Sequence, residues 1–303
     1  MFAGLFRALP FNPILNLSPN LMNPKFSCAD FTFPLLPHEK ILALLQLLEI
    51  PAVDLGVFEG RSHHFPSSIV GDPEGSAKRM KTMLDQYGLE ASDVFLQTGE
   101  DPPVAAANDP DPSIRESNRA VFEAMVTYTR ELGCKHITGL PGVLHEGVDP
   151  DQDWELAVEE TSWRKTTAEA AGLVYGIEAH VGSILPDPET TLRFIAACPE
   201  ITLTLDYGHF IYQGMSSESA HPLLKHASHF HARGGAPGQL QSTMKDNTID
   251  YEAIVRGLAE ADYTGYLCLE YVWIDWEGCN RTDNISETLL LKQELEGYLK
   301  NLS

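Results

Sequence analysis

Short apolar runs alternate along the chain with longer segments in which apolar residues recur every three or four positions. The short runs have the length and β-branched content of buried strands, and the longer segments have the spacing of amphipathic helices. We predict eight strands, which begin at Phe26, Ala52, Asp93, His136, Val174, Ile201, His229 and Tyr266. The first of these runs extends to Phe33.

Helical segments follow the strands in strict alternation, and we predict them over residues 37–49, 73–87, 113–132, 153–171, 188–197, 216–226, 251–261 and 287–299. Such alternation implies parallel strands joined by helical crossovers. Eight units within 303 residues favour a closed barrel over an open doubly wound sheet, and no glycine-rich dinucleotide fingerprint follows the first strand. We therefore predict an α/β fold, a single (β/α)8 TIM barrel over residues 25–303, with an N-terminal arm over residues 1–24.

The last four predicted strands end in residues that can bind a metal ion or move a proton: Glu178, Asp206, His231 and Glu270. The carboxyl ends of parallel barrel strands open on one face, so these side chains should converge there. Three buried carboxylates call for a cation, and with one imidazole they form an oxygen-rich set that suits Mn²⁺, Mg²⁺ or Co²⁺. Any one of these residues alone would be explained as well by a surface or salt-bridged position. The set at equivalent strand ends favours one divalent ion that polarises a substrate carbonyl.

The charge of the chain narrows the class of partner. With 43 acidic against 21 basic residues, its net charge is −22, which disfavours nucleic acid because phosphate binding draws on Lys and Arg. No run reaches the length of a membrane span. The five cysteines are scattered and include no Cys-x-x-Cys pair, which indicates a reducing, cytoplasmic compartment. We expect a small sugar substrate, and the apolar arm is a candidate contact for a homo-oligomer.

Four short motifs occur in the order Glu178-Ala179-His180, Asp206-x-x-His209, His229-x-His231 and Leu269-Glu270. In this order they resemble the metal site of the xylose isomerase-like superfamily, which includes ketose 3-epimerases and inosose dehydratases. The resemblance covers nearly the whole chain and is clearest over residues 175–271.

The resemblance implies roles for individual residues. One divalent ion would be bound by Glu178, Asp206, His231 and Glu270. Substrate oxygens would be contacted by His209 and Arg233. In the epimerases of this superfamily the first and last glutamates also transfer the proton, which assigns catalysis here to Glu178 and Glu270. Mn²⁺ is the expected ion, with Mg²⁺, Co²⁺ or Zn²⁺ as alternatives.

The reaction remains open at this point. The first hypothesis is an isomerase or epimerase that abstracts a proton next to the carbonyl of a ketose or keto-sugar. The second is a lyase or dehydratase that uses the same metal and base on a keto-sugar or keto-glycoside. A phosphodiesterase like the apurinic-site endonucleases is disfavoured by the net charge of −22.

Further histidines have two interpretations each. A spacing of two from Glu178 returns to the same face of a strand, so we expect His180 in the barrel mouth as a substrate contact rather than on the barrel wall. His145, with Glu146, follows the fourth strand and is either another substrate-binding acid or base, or part of a solvated loop. His229 lies deeper than His231, where a hydrogen-bonded core histidine is expected. For His64, after the second strand, exposure is favoured.

Overall fold

Eight parallel strands, paired in sequence order and closed between the first and the last, form the centre of the protein. The structure is a computed structural model and describes residues 24–302. Its strands are β1 (Lys25–Ala29), β2 (Ala52–Phe58), β3 (Glu90–Gln97), β4 (His136–Gly139), β5 (Val174–Ile177), β6 (Thr202–Asp206), β7 (Ala227–Ala232) and β8 (Tyr266–Leu269). The predicted (β/α)8 barrel is confirmed. The predicted N-terminal arm lies outside the described residues apart from Pro24.

The α-helices surround this barrel: α1 (His38–Leu47), α2 (Pro66–Ile69), α3 (Pro73–Tyr87), α4 (Pro112–Leu132), α5 (Pro150–Ala170), α6 (Pro188–Ala197), α7 (Gly208–Tyr212), α8 (Ser217–Ala220), α9 (Tyr251–Glu260) and α10 (Asn284–Asn301). Four of them begin at an Asp-Pro pair, in which the aspartate side chain accepts a hydrogen bond from the first turn and proline occupies the first helical position. Aspartate satisfies an otherwise unpaired N–H and proline lacks one, so this pair is a strong start signal.

Most predicted elements differ from the structure by a few residues at their ends, and two differ more. The first strand ends at Ala29, because Asp30 to Thr32 form a 3-10 turn and the Asp30 carboxylate accepts a hydrogen bond from the Gly56 N–H at 2.9 Å. The helix predicted over residues 216–226 is only the short α8 followed by a 3-10 turn from His221 to His226. Pro222 lies at the start of that turn and cannot donate to a continuing α-helix.

The core has an apolar part and a polar part. Large apolar side chains such as Phe122, Phe194 and Phe230 fill the layer between the strands and the helices. Inside the barrel, by contrast, the hydroxyls of Thr138 and Thr204 hydrogen-bond each other at 2.6 Å. Buried polar groups are usually hydrogen-bonded, and this pair of hydroxyls lies inside the barrel beneath its carboxyl-terminal mouth.

All five cysteines are free and buried. Within residues 24–302, none of the helices combines the length and apolar character that crossing a bilayer requires.

Candidate active site

The four predicted ligands lie at the carboxyl end of the barrel, on strands that are neighbours. Glu178 directly follows β5, Asp206 is the last residue of β6, His231 is the next-to-last residue of β7, and Glu270 directly follows β8. Each of these four residues is at least 96% buried. The alternation of the strands thus delivers three carboxyl groups and an imidazole to one side of the mouth.

His231 is the centre of this cluster. Its Nδ1 atom lies 2.8 Å from Glu178 Oε1 and 3.5 Å from Glu270 Oε2. One ligand atom from each of these three residues lies within 4.8 Å of the others, and Glu178, Asp206 and His209 form a second group that meets the same limit. Because Glu178 belongs to both groups, the four predicted ligands share one continuous site.

Arg233 and His209, the two residues expected to contact substrate oxygens, lie against the carboxylates. The Arg233 Nη2 atom donates to Asp206 Oδ2 and lies 3.6 Å from Glu270 Oε2. His209 Nδ1 accepts a hydrogen bond from the Val181 N–H at 3.2 Å, so the ring directs Nε2 toward Asp206 Oδ2, 3.5 Å away. Both residues therefore place polar nitrogen atoms beside the carboxylates at the mouth of the barrel.

The pKa values of the two glutamates are shifted in opposite directions. Burial acts to raise the pKa of Glu178, but the hydrogen bond and positive charge of His231 outweigh it and lower the pKa to about 2. For Glu270 burial dominates and raises the pKa to about 8. Burial alone would lower the pKa of His231, yet Glu270, Asp54 and Glu178 raise it well above its ordinary value. A strongly coupled acidic cluster of this kind marks a functional site more often than a structural one.

The cluster fits a divalent cation. Glu270 Oε2 is buried and, in the part of the chain that the structure describes, forms no hydrogen bond. Arg233 already neutralises Asp206, which leaves the Glu178 and Glu270 carboxyl groups around a single imidazole. Three carboxylates and one imidazole are the donor set of Mn²⁺ or Mg²⁺ rather than of a sulfur-bound structural ion. The site could therefore hold one ion through Glu178, Asp206, His231 and Glu270.

The other histidines singled out in the sequence lie in different surroundings. His180 is buried beside the site, with its ring centroid 6.1 Å from that of His209 and its Nδ1 atom 2.8 Å from the Val181 carbonyl oxygen. His145 instead lies in the loop before α5, where its Nδ1 atom is 2.7 Å from Asp153 Oδ1. The recorded contacts of His145 tie it to this helix and not to the carboxylate cluster. His229 is the buried, hydrogen-bonded core histidine that was expected.

Two aromatic rings lie next to residues of the cluster. The Phe95 ring centroid is 5.8 Å from that of His231. The segment after β8 brings the Trp276 ring to 6.5 Å from the His209 ring, and Tyr212 donates a hydrogen bond to Glu277 of the same segment. Trp276 is 43% exposed, so it can present an apolar face to a ligand at the mouth.

Asp54 is a residue of this site that the sequence analysis missed. It lies within β2, is fully buried, and places Oδ2 3.3 Å from Nε2 of His231. Burial would raise its pKa, but the charges and hydrogen bonds of His229 and His231 lower it well below the ordinary value. The available signal was an acidic residue inside an otherwise apolar strand, which is costly unless paired.

The protein is a closed parallel barrel with a buried acidic cluster at its carboxyl end, the face on which barrels of this class have their active sites. The chain belongs to the xylose isomerase-like TIM barrel family, whose model matches residues 51–298. A comparison with curated proteins finds no match.

Solved structures confirm the fold. L-ribulose 3-epimerase superposes with a TM-score of 0.72 at 15% identity, covering 92% of this chain and 96% of that one. D-psicose 3-epimerase from Clostridium cellulolyticum H10, solved with D-tagatose, gives 0.69 at 16% identity, with coverage of 92% and 98%. A xylose isomerase-like TIM barrel protein from Mycobacterium smegmatis in complex with magnesium gives 0.67 at 15% identity, with coverage of 87% and 88%.

Proposed function

We propose that the protein is a divalent-metal-dependent isomerase or epimerase that acts on a ketose or keto-sugar by abstracting a proton next to the carbonyl. The observation that carries this proposal is the placement of Glu178 and Glu270, two buried carboxyl groups that follow different strands, within 2.8 Å and 3.5 Å of the same atom, His231 Nδ1. Two such groups can approach one carbon from different directions, which is what inversion of a stereocentre requires.

Similar structures support the substrate class. L-ribulose 3-epimerase and D-psicose 3-epimerase share the fold over 92% of this chain. At 15% and 16% identity this likeness concerns the fold, and one barrel fold serves many reactions. The proposal that the substrate is a sugar with a carbonyl group therefore also depends on the residues at the mouth of the barrel.

The proton-transfer chemistry follows from these residues. A divalent ion held by Glu178, Asp206, His231 and Glu270 would polarise the substrate carbonyl and make the neighbouring C–H more acidic. The Glu178 carboxylate then accepts that proton at one oxygen, and Glu270 returns a proton from its own carboxyl oxygen to the other face of the carbon. In the reverse reaction the roles are exchanged: Glu270 accepts the proton and Glu178 returns one.

Arg233 and His209 stabilise the charge that develops on the substrate oxygens. Both are buried beside the carboxylates, and hydrogen-bond donors fixed in a dry site stabilise an enediolate more strongly than water does. Arg233 is already paired with Asp206, and the net charge of the chain is −22, so a neutral sugar suits the site better than a polyanion.

The test is to incubate the Mn²⁺-loaded protein with a panel of ketoses and keto-glycosides in D₂O. We expect deuterium to enter the carbon next to the carbonyl and the product to be an isomer of the substrate. Glu270→Gln should reduce the exchange rate by about 10² to 10⁴, the range for loss of a general acid or base. Glu189→Gln, which changes an exposed glutamate in the first turn of α6, is the control and should exchange at the wild-type rate.

Product masses separate the alternatives. A lyase or dehydratase would use the same base but release two products or lose water. Normal exchange in Glu270→Gln would contradict the assignment of Glu270, and absence of exchange with every sugar would contradict the proposed reaction.

A further inference from the structure

Asp54 lies inside the barrel next to His231, and both of its carboxylate oxygens accept hydrogen bonds. Oδ2 is 2.5 Å from His229 Nε2, and Oδ1 accepts hydrogen bonds from the Ser27 hydroxyl at 2.8 Å and from the Ser92 hydroxyl. A carboxylate has about four acceptor positions, so these three hydrogen bonds fix its orientation and leave one position free. Nε2 of His231 lies 3.3 Å from Oδ2 and forms no hydrogen bond within residues 24–302.

The two nitrogens of His231 consequently face different carboxylates. Nε2 has Asp54 Oδ2 as a carboxylate neighbour at 3.3 Å, whereas Nδ1 lies 2.8 Å from Glu178 Oε1 and 3.5 Å from Glu270 Oε2. A histidine that binds a metal ion through one nitrogen commonly donates the N–H of the other nitrogen to a carboxylate, which sets the tautomer and the ring orientation.

We propose that Asp54 is the positioning residue of the metal site: when an ion binds Nδ1 of His231, the adjacent Asp54 carboxylate accepts the Nε2–H and so sets the tautomer of the ring. This inference rests on the metal-dependent function proposed above, but it concerns how the chain holds the ion and not which reaction follows. Ser27, Ser92 and His229 serve it indirectly, because they keep the Asp54 carboxylate from rotating.

The same residues could be taken for a second ion site, since ligand atoms of Asp54, His229, His231 and Cys268 also lie within 4.8 Å of one another. The distance between Asp54 and His229 argues against an ion at this position. Two ligands on one zinc ion, each about 2 Å from the metal, stand roughly 3 Å apart, whereas Asp54 Oδ2 and His229 Nε2 are separated by 2.5 Å, the length of a hydrogen bond. The hydrogen bonds from Ser27 and Ser92 occupy the other oxygen.

The first experiment compares Mn²⁺ affinity in Asp54→Asn and Asp93→Asn, measured from the electron paramagnetic resonance signal of free Mn²⁺. Asp93 is a matched control because it is another fully buried aspartate in the same barrel, bound to a histidine, with Oδ1 2.7 Å from His136 Nδ1. Its histidine faces Ser228 instead of a ligand. We expect the dissociation constant to rise 10- to 100-fold in Asp54→Asn and to change less than about 3-fold in Asp93→Asn.

The second experiment needs no substitution at Asp54 and stands if that variant fails to fold. Nitrogen-15 spectra of histidine-labelled wild-type protein loaded with Zn²⁺, with the His231 resonances assigned by their loss in His231→Gln, report which ring nitrogen carries the proton. We expect the Nε2–H tautomer, with Nδ1 bound to the ion. A proton on Nδ1 would overturn the inference.

The outcomes separate this inference from the proposed function. Unchanged Mn²⁺ affinity in a folded Asp54→Asn variant overturns the role of Asp54 alone. Two ions per wild-type chain, one of them lost in Asp54→Asn, would make the inner cluster a metal site and also overturn the positioning role. Wild-type protein that binds no divalent ion overturns both the metal-dependent function and this inference.

Discussion

Arg233 and Asp206 form an ion pair in which the side chains are only 4% and 0% exposed. Removing one partner of such a pair leaves an uncompensated buried charge. We therefore expect Arg233→Gln, measured by urea denaturation in the presence of a chelator, to lower the free energy of unfolding by about 3–5 kcal/mol. Because Asp206 is also a proposed ligand, added Mn²⁺ should restore part of this loss.

The control for this prediction is Arg79→Gln. Arg79 pairs with Asp72 at 3.2 Å, but these side chains are 67% and 61% exposed, and exposed pairs contribute about 0–1 kcal/mol. If Arg233→Gln is destabilised no more than Arg79→Gln, the buried pair does not contribute the expected stability to the fold.

A divalent ion should stabilise the folded protein, because a ligand that binds only the folded state shifts the folding equilibrium. At 100 times its dissociation constant, Mn²⁺ is expected to add about 2.7 kcal/mol, seen as a rise in the melting temperature that grows with Mn²⁺ concentration. Glu178→Gln should lose most of this response. Glu189→Gln, an exposed glutamate in the first turn of α6, should keep it.

The barrel, and the convergence of the four predicted ligands at its mouth, could be derived from the sequence because each depends on local signals. Apolar runs mark the strands, Asp-Pro pairs such as Asp72-Pro73 mark helix starts, and a polar residue at a strand end must face the mouth of a parallel barrel. Strand ends were less predictable. The first strand stops at Ala29 because Asp30 bonds the backbone of β2, a contact between distant segments.

Asp54 shows why part of the site could not be derived. Its main partner, His229, is 175 residues away along the chain, and the pairing depends on which residues of β2 point into the barrel. Periodicity does not reveal this in a strand that is buried on both faces. His145 illustrates the opposite case, since its position after β4 suggested the mouth while Asp153 holds it against the start of α5.

His64 should make the stability of the fold depend on pH. The side chain is half-buried rather than exposed, and burial, together with the charges of His38 and His63 against the opposing effect of Asp30, lowers its pKa to about 4. Between the unfolded-state pKa near 6.5 and pH 4, the unfolded chain binds a proton that the folded chain does not, so stability falls as the pH falls through this window.

Replacing His64 removes this contribution. We expect His64→Asn to lose less stability than wild type between pH 7.5 and pH 4, by on the order of 2 kcal/mol. The measurement is the free energy of unfolding at several pH values. Parallel curves for the two proteins would show that His64 is not the group responsible.

Two glycines should respond to alanine with opposite signs. At Gly176 in β5, an added Cβ atom would lie 2.7 Å from Thr204 Oγ1 and 2.9 Å from His136 Cε1, inside a packed barrel. We expect Gly176→Ala to destabilise the protein by about 1–3 kcal/mol, the usual result of overpacking.

Gly297 lies within α10, where an added Cβ atom would meet nothing within 4 Å. Gly297→Ala should stabilise by about 0.5–1 kcal/mol because alanine is the better helix former. Equal effects on the midpoint of thermal unfolding would contradict the close packing of Gly176 against the polar interior.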